Sequence, residues 1–205
     1  MYKYNGGHIE VITGPMFAGK TEELIRRLTR AEIANQDIIV FKPYIDDRYS
    51  KEKVVTHSGK EIESKVIKIL EDIMLEVDHK DYDIVAIDEV QFFTMKDFHN
   101  NLNIVKLIEH MADSGIRIIT TGLDTDFKGE PFDITTQLMG RAEKIDKLTA
   151  ICNECGTPAT RTQRFIDGEP AHKDDPVILV GGEEEYEARC RKHHIVLDSN
   201  QEKVS

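Results

Sequence analysis

Residues 14 to 21, GPMFAGKT, set Gly14, Gly19, Lys20 and Thr21 in the order G-x-x-x-x-G-K-T, with Pro15, Met16, Phe17 and Ala18 between them. That order suits phosphate binding. Glycines let backbone N–H groups wrap a phosphate closely, the lysine reaches the outer phosphates, and the threonine hydroxyl can hold Mg²⁺. Average residue frequencies give such a match by chance in about one chain in 100 of this length. The flanks favour the reading further, because HIEVIT before the octet has the composition of a buried strand and EELIRRLTR after it that of a helix. The plain alternative is a glycine-rich strand-to-helix turn with no ligand; we read the octet as a grip on a nucleoside triphosphate.

A second group of candidates is the pair Asp88 and Glu89, which ends the apolar run IVAI at 84–87. A strand there would deliver Asp88 beside a metal ion, where the cation favours its charged form. Glu89, beside a terminal phosphate, could position water, as in an ATPase, or accept a proton from a substrate hydroxyl, as in a kinase. Two capping or solvated acids are the alternative. A third group uses all three cysteines of the chain: Cys152-x-x-Cys155 and Cys190-x-x-His193 are two ligand pairs of equal spacing, the pattern of a closed tetrahedral Cys₃His zinc site. His194 competes with His193 at one residue greater spacing, and a redox C-x-x-C would leave the second pair idle. With four protein ligands the metal would be structural. Asp46, Asp47 and Arg48 in DDRY could approach the phosphates or form a solvated loop. By default Phe92, Phe93 and Phe127 are core residues, and Glu183 to Glu185 form a solvated face.

These groups need elements to hold them. Strand-like runs cover 8–13, 37–43, 81–90, 115–123 and 143–152. Helical spacing of Leu24, Ile25, Leu28, Ala31 and Ile33 or Ala34 predicts a helix from Gly19, and NLNIVKLIEHMADS predicts another before the fourth strand. Alternation of this kind predicts an α/β fold with a mostly parallel sheet and helices on both faces. Near residue 150 the pattern gives way to short polar segments and cysteines, a stretch of about 45 residues too small to rely on apolar burial alone. Such a segment needs a staple. Residues 195–205 have no convincing period and read mostly as a loose tail.

The net charge of −11 argues against a nucleic acid or anionic lipid partner, while a helix N-terminus and one lysine can still hold a small anion. With 40% apolar and 32% charged residues, the chain carries only strand-length apolar runs. No membrane span, secretory signal or disulfide scaffold is expected, and the reducing cytoplasm is the expected location.

GPMFAGKT, FKPYIDDRY, DEVQFF, GLDTDFKGEPF, CNECG, TQR and DPVILVGGEEEYEARCRKHH run in order from about residue 8 to residue 194. Together they resemble the zinc-containing type II thymidine kinases in their bacterial version. The resemblance implies a RecA-like P-loop domain over 1–149, a zinc-binding lasso subdomain over 150–194 and a tail over 195–205. It implies transfer of the γ-phosphoryl group of ATP to the 5′-hydroxyl of thymidine or deoxyuridine with Mg²⁺, in nucleotide salvage. Glu89 would be the general base, with Asp46, Arg48, Asp88 and Gln91 joining the octet around the nucleotide. Met16, Phe92, Leu123, Phe127, Thr162 and Tyr186 would line the thymine pocket, and Leu179, Val180 and Gly181 would belong to the lasso that meets the base. Relatives are commonly tetramers inhibited by dTTP. Two departures stand out: Ala18 replaces a serine common among relatives, and His193 replaces a cysteine as fourth zinc ligand. A nucleic-acid-binding P-loop ATPase would need a basic stripe near its zinc ribbon, where this chain has Asp174, Asp175 and Glu183 to Glu185. A non-catalytic nucleotide sensor would be expected to lack the carboxylate after Asp88.

Overall fold

β1 (His8–Thr13) enters the octet and α1 (Lys20–Ile33) leaves it. The computed structural model describes residues 6–44, 53–55, 61–93, 103–177 and 184–198 of the 205-residue chain. α1 carries Glu22 and Glu23 in its first turn, where their charge complements the positive end of the helix, and buries Leu24, Ile25, Leu28 and Ala31. It ends where Asn35 takes a left-handed φ of 55°. The Asn35 and Gln36 amides then donate to the carbonyls of Glu32 (2.9 Å) and Ala31 (3.1 Å), a Schellman closure.

β2 (Ile38–Pro43) follows, then the short strands β3 (Lys53–Val55), β4 (Glu61–Glu63) and β5 (Lys65–Ile67), and α2 (Leu70–Asp78). β6 (Ile84–Ile87), a 3₁₀ turn at Val90–Phe92, α3 (Ile104–Asp113), β7 (Arg117–Gly122), α4 (Asp133–Met139) and β8 (Lys144–Lys147) complete this part. The main sheet has the order β5-β2-β6-β7-β1-β8 with every pairing parallel. This is the parallel α/β sheet that the alternating pattern predicts.

The pleat sends alternate residues to opposite faces. Ile9, Val11, Phe41, Val85, Ile87 and Ile118 join Ile104, Ile108 and Met111 of α3 and Ile73 of α2 in one large core cluster. On the opposite face Glu10 meets Arg27 of α1, at 4% and 5% exposure. Arg117 donates to the same carboxylate at 2.7 Å, and Arg27 also reaches Glu23 (2.8 Å) and Asp146. Burial opposes charge on Glu10, but the Arg117 hydrogen bond, the two guanidinium charges and His8 outweigh it and hold the carboxyl below its ordinary range.

By contact, the described residues up to Thr13, those from Lys20 to Gly122 and those from Asp133 to Lys147 form one compact unit. Gly14 to Gly19, Leu123 to Phe132 and the described residues from Leu148 onward form another. The single strand expected over 143–152 is therefore two: β8 extends the main sheet beside β1, while β9 (Ala150–Ile151) pairs with β10 (Pro158–Ala159) in the second unit. β11 (Arg161–Ile166), β12 (Glu169–Pro170) and β13 (Glu184–Arg189) form an antiparallel sheet there. Residues 195 to 198 are tied into it. The Gln163 side chain exchanges two 2.8 Å hydrogen bonds with the Ile195 backbone, and Leu197 pairs with Ala171 and Lys173. No helix among the described residues is long and apolar enough to cross a membrane.

Candidate functional site

In the second unit, the octet carries positive φ at Gly14 (145°), Phe17 (64°) and Gly19 (79°). A side chain at Gly14 would place its Cβ 2.5 Å from the carbonyl oxygen of Leu148, so backbone angle and close approach both require glycine. Phe17 has no such licence; a non-glycine residue held there costs about 1–3 kcal/mol and marks an over-determined turn. Such turns direct backbone N–H groups into an anion-binding concavity. The Met16 amide is committed elsewhere, donating to the Thr162 hydroxyl at 3.1 Å.

In the first unit, Lys20 opens α1 and is buried, Thr21 is half-buried, and β6 delivers Asp88 and Glu89. The Asp88 amide donates to the Phe41 carbonyl (2.9 Å) and its carboxylate accepts from the Thr121 hydroxyl and from the Glu89 amide (3.1 Å). Parallel pairing of β6 with β7 brings Thr121 there. Glu89 adopts φ 51°, ψ 44°, the left-handed region. A non-glycine residue held there costs about 1–3 kcal/mol. Its carboxylate accepts from the Gln91 side-chain amide at 2.5 Å. Gly122 makes the arrangement possible, since a Cβ there would lie 2.7 Å from the Gln91 Oε1 and 3.0 Å from Val90. The result is two adjacent carboxylates with different surroundings. Asp88 is 6% exposed and laced by hydrogen bonds, while Glu89 is half-buried with one oxygen on an amide.

Cys152, Cys155, Cys190 and His193 gather in the second unit, their ligand atoms all within 4.8 Å of one another. Cys155 and Cys190 sulfurs are 3.8 Å apart, and His193 Nδ1 lies 3.7 Å from Cys152 and 3.5 Å from Cys190. Zinc–ligand bonds of about 2.0–2.3 Å in a tetrahedron require edges of about 3.6–3.8 Å. The cluster therefore fits a tetrahedral ion. Each ligand pair sits on a turn closed by backbone: Gly156 N–H to Cys152 (2.9 Å), His193 N–H to Cys190 (3.1 Å). β9 leads to one turn and β13 to the other, and the Asn153 amide joins them through the Ala188 carbonyl (3.0 Å). Burial resists charge on the Cys152 thiol, but backbone N–H donors and His193 outweigh it and bring the thiol down to about 6, ready to ligate as thiolate. His194, the competing candidate, instead donates from Nε2 to the Phe127 carbonyl at 2.8 Å.

The residues expected around thymine divide between the units. Met16, Leu123, Phe127, Thr162 and Tyr186 belong to the second, and Phe92 lies in the 3₁₀ turn of the first. Asp46, Asp47, Arg48, Leu179, Val180 and Gly181 lie outside the described residues. Residue reading missed Thr121 and Arg164. Thr121 reaches Asp88 only through strand pairing, and Arg164 is fully buried on β11, so neither carries a local signal.

A sequence model of the family described as "Thymidine kinase" matches residues 7–194. The thymidine kinase of Deinococcus deserti is 50% identical over 202 residues, covering 94% of this chain and 96% of that protein. The thymidine kinase of Thermococcus kodakarensis is 51% identical over 197 residues, with the same two coverages.

Proposed function

The chain belongs to the thymidine kinase family, and from that premise we propose how its residues divide the work of phosphorylating thymidine from ATP in nucleotide salvage. Gly14 to Gly19 cradle the phosphates with backbone amides and Lys20 neutralises the outer ones, as the octet's order requires. Thr21 and Asp88 would hold Mg²⁺, which would offset the charge of the phosphates. Asp46 and Arg48 assist at the phosphates. Glu89 accepts the proton of the thymidine 5′-hydroxyl as that oxygen attacks the γ-phosphorus, and Gln91 orients it.

Met16, Phe92, Leu123, Phe127, Thr162 and Tyr186 enclose the base, and the backbone at Leu179, Val180 and Gly181 reads its edge. Backbone donors and acceptors suit a pyrimidine, because they present no side chain to exclude it. Deoxyuridine is the second acceptor. The Cys₃His site holds one structural zinc. Feedback by dTTP, a homotetramer and a cytoplasmic location, consistent with three free cysteines gathered as ligands, complete the reading.

The observation that carries this assignment is the left-handed backbone of Glu89 with its carboxylate on Gln91, one residue beyond Asp88. It is tested by measuring phosphoryl transfer from ATP to thymidine with Glu89→Gln. We expect kcat to fall by roughly 10²-fold or more, the scale of losing a positioned base, with zinc content and thermal stability kept. Undiminished turnover would remove Glu89 from the role.

A further inference from the structure

The proposed function leaves the guanidinium of Arg164 without a role. Arg164 is 0% exposed, in a unit whose apolar cluster is three alanines and a cysteine. A buried guanidinium is costly to desolvate, and an aliphatic side chain fills the same volume without that cost. What arginine adds is a planar cation able to stack and donate at once. Both uses are present. The guanidinium lies 4.5 Å from the centre of the Phe127 ring, within cation–π range, and its Nη1 donates to the Pro176 carbonyl at 2.7 Å.

The strand register puts this cation among the pocket residues. Thr162 and Arg164 are two apart on β11 and so share a face, and Tyr186 of β13 pairs directly with Arg164. The Phe127 loop is itself tightly built: Asp126 Oδ1 accepts from the amides of Lys128 (2.8 Å) and Glu130 (3.0 Å), and His194 holds the Phe127 carbonyl. The backbone of Phe127 is thus fixed by the loop and by His194, while its ring meets two cations, the Arg164 guanidinium at 4.5 Å and the ammonium of the adjacent Lys128 at 5.2 Å, of which only Arg164 is fully buried.

We infer that Arg164 is a positioning residue for nucleoside binding: it sets the Phe127 ring as a wall for the pyrimidine and touches no reacting atom. This inference rests on Phe127 lining the thymine pocket. It predicts an effect confined to the nucleoside, since the groups it holds, the Phe127 ring and the Pro176 carbonyl, are not part of the nucleotide grip.

The test is steady-state kinetics in both substrates for Arg164→Met, Arg164→Lys, Phe127→Leu and the doubles. Arg164→Met should raise the thymidine KM about 10-fold, the size of a desolvated cation–π contact, and leave the ATP KM unchanged. Arg164→Lys, which keeps the charge without the stacking plane, should fall between Met and wild type. Phe127→Leu should also raise the thymidine KM, and adding either Arg164 change to it should cost little more, as expected for residues acting as one unit. If Arg164→Met does not fold, the lysine variant and its double decide. A thymidine KM unchanged in both Arg164 variants but raised by Phe127→Leu overturns this inference alone, as do additive effects or equal rises in both KM values. No response to Phe127→Leu overturns the pocket reading beneath it, and this inference with it.

Discussion

The sheet unit and the zinc unit solve the same problem with different means. In the first, eighteen buried residues among those described form one apolar cluster spanning strands and helices on one face of a parallel sheet. In the second, the cluster is Ala150, Cys152, Ala159 and Ala188, and the larger buried side chains include Arg164 and Gln163. Small residues supply little transfer free energy, at roughly 25 cal/mol per Å². What the second unit has instead is a Cys₃His cluster that could hold a metal ion, and specific polar pairing. The contrast teaches that a scaffold can be apolar and general where it only carries strands. Where a ligand must be recognised by form, the chain favours directional bonds, which hold one geometry and no other.

The largest expected effect lies in the metal. Freshly purified protein should contain one zinc per chain. Stripping it with a strong chelator, or replacing Cys190 with alanine, should remove a folding contribution on the order of 10 kcal/mol from the second unit. Hydrogen exchange should then show protection lost across 150–166 and 184–190 and kept in β6 and β7. Equal loss in both units would erase the comparison.

Next comes the network of Glu10 with Arg27 and Arg117 in the sheet unit. Glu10→Gln leaves Arg27 and Arg117 short of a carboxylate in a dry site, and should lower stability by about 3 kcal/mol at pH 7, read from urea midpoints. Its pH dependence has a definite sign. Because the folded carboxyl lies below its ordinary 4.5, its contribution is complete above that value and fades as pH falls through the lower folded one. Thermal midpoints of metal-loaded wild type should therefore drop below about pH 4.5, and the drop should be shallower in Glu10→Gln. A parallel decline would assign the acid sensitivity elsewhere.

A smaller test addresses the apolar cluster itself. Ile118→Val removes one methylene from a fully buried position of the central strand β7 and should cost about 1 kcal/mol. Smallest of all, Ile33→Ser at the 78%-exposed end of α1 should shift stability by less than about 0.5 kcal/mol, separating apolar residues that hold the core from those that merely face water.

Much of the first unit was legible because its signals are local. The strand-to-helix junction at the octet, the period of α1 and the run IVAI ahead of Asp88 each lie within a few residues. Zinc ligand spacing is equally local within each pair. The division at 147–148 was not legible, since KIDKLTAI (144–151) has no glycine or proline to mark a break, and β8 and β9 differ in the partner each strand finds. The pairing of 195–198 carries no local signal for a related reason: its hydrogen bonds go to Gln163, Ala171 and Lys173, far back along the chain.

Residue types and their spacing by themselves determined the chemistry on offer: a phosphate grip, an acidic pair and four soft ligands. Those properties follow from side-chain chemistry and short-range geometry, which need no knowledge of the fold. Tertiary structure alone decided which groups act on which. It placed Thr121 against Asp88, gave His193 to the metal cluster and His194 to the Phe127 carbonyl, and seated Arg164 under an aromatic ring. Each of these joins residues dozens of positions apart or separates neighbours, and only the closing of the chain upon itself creates such distances.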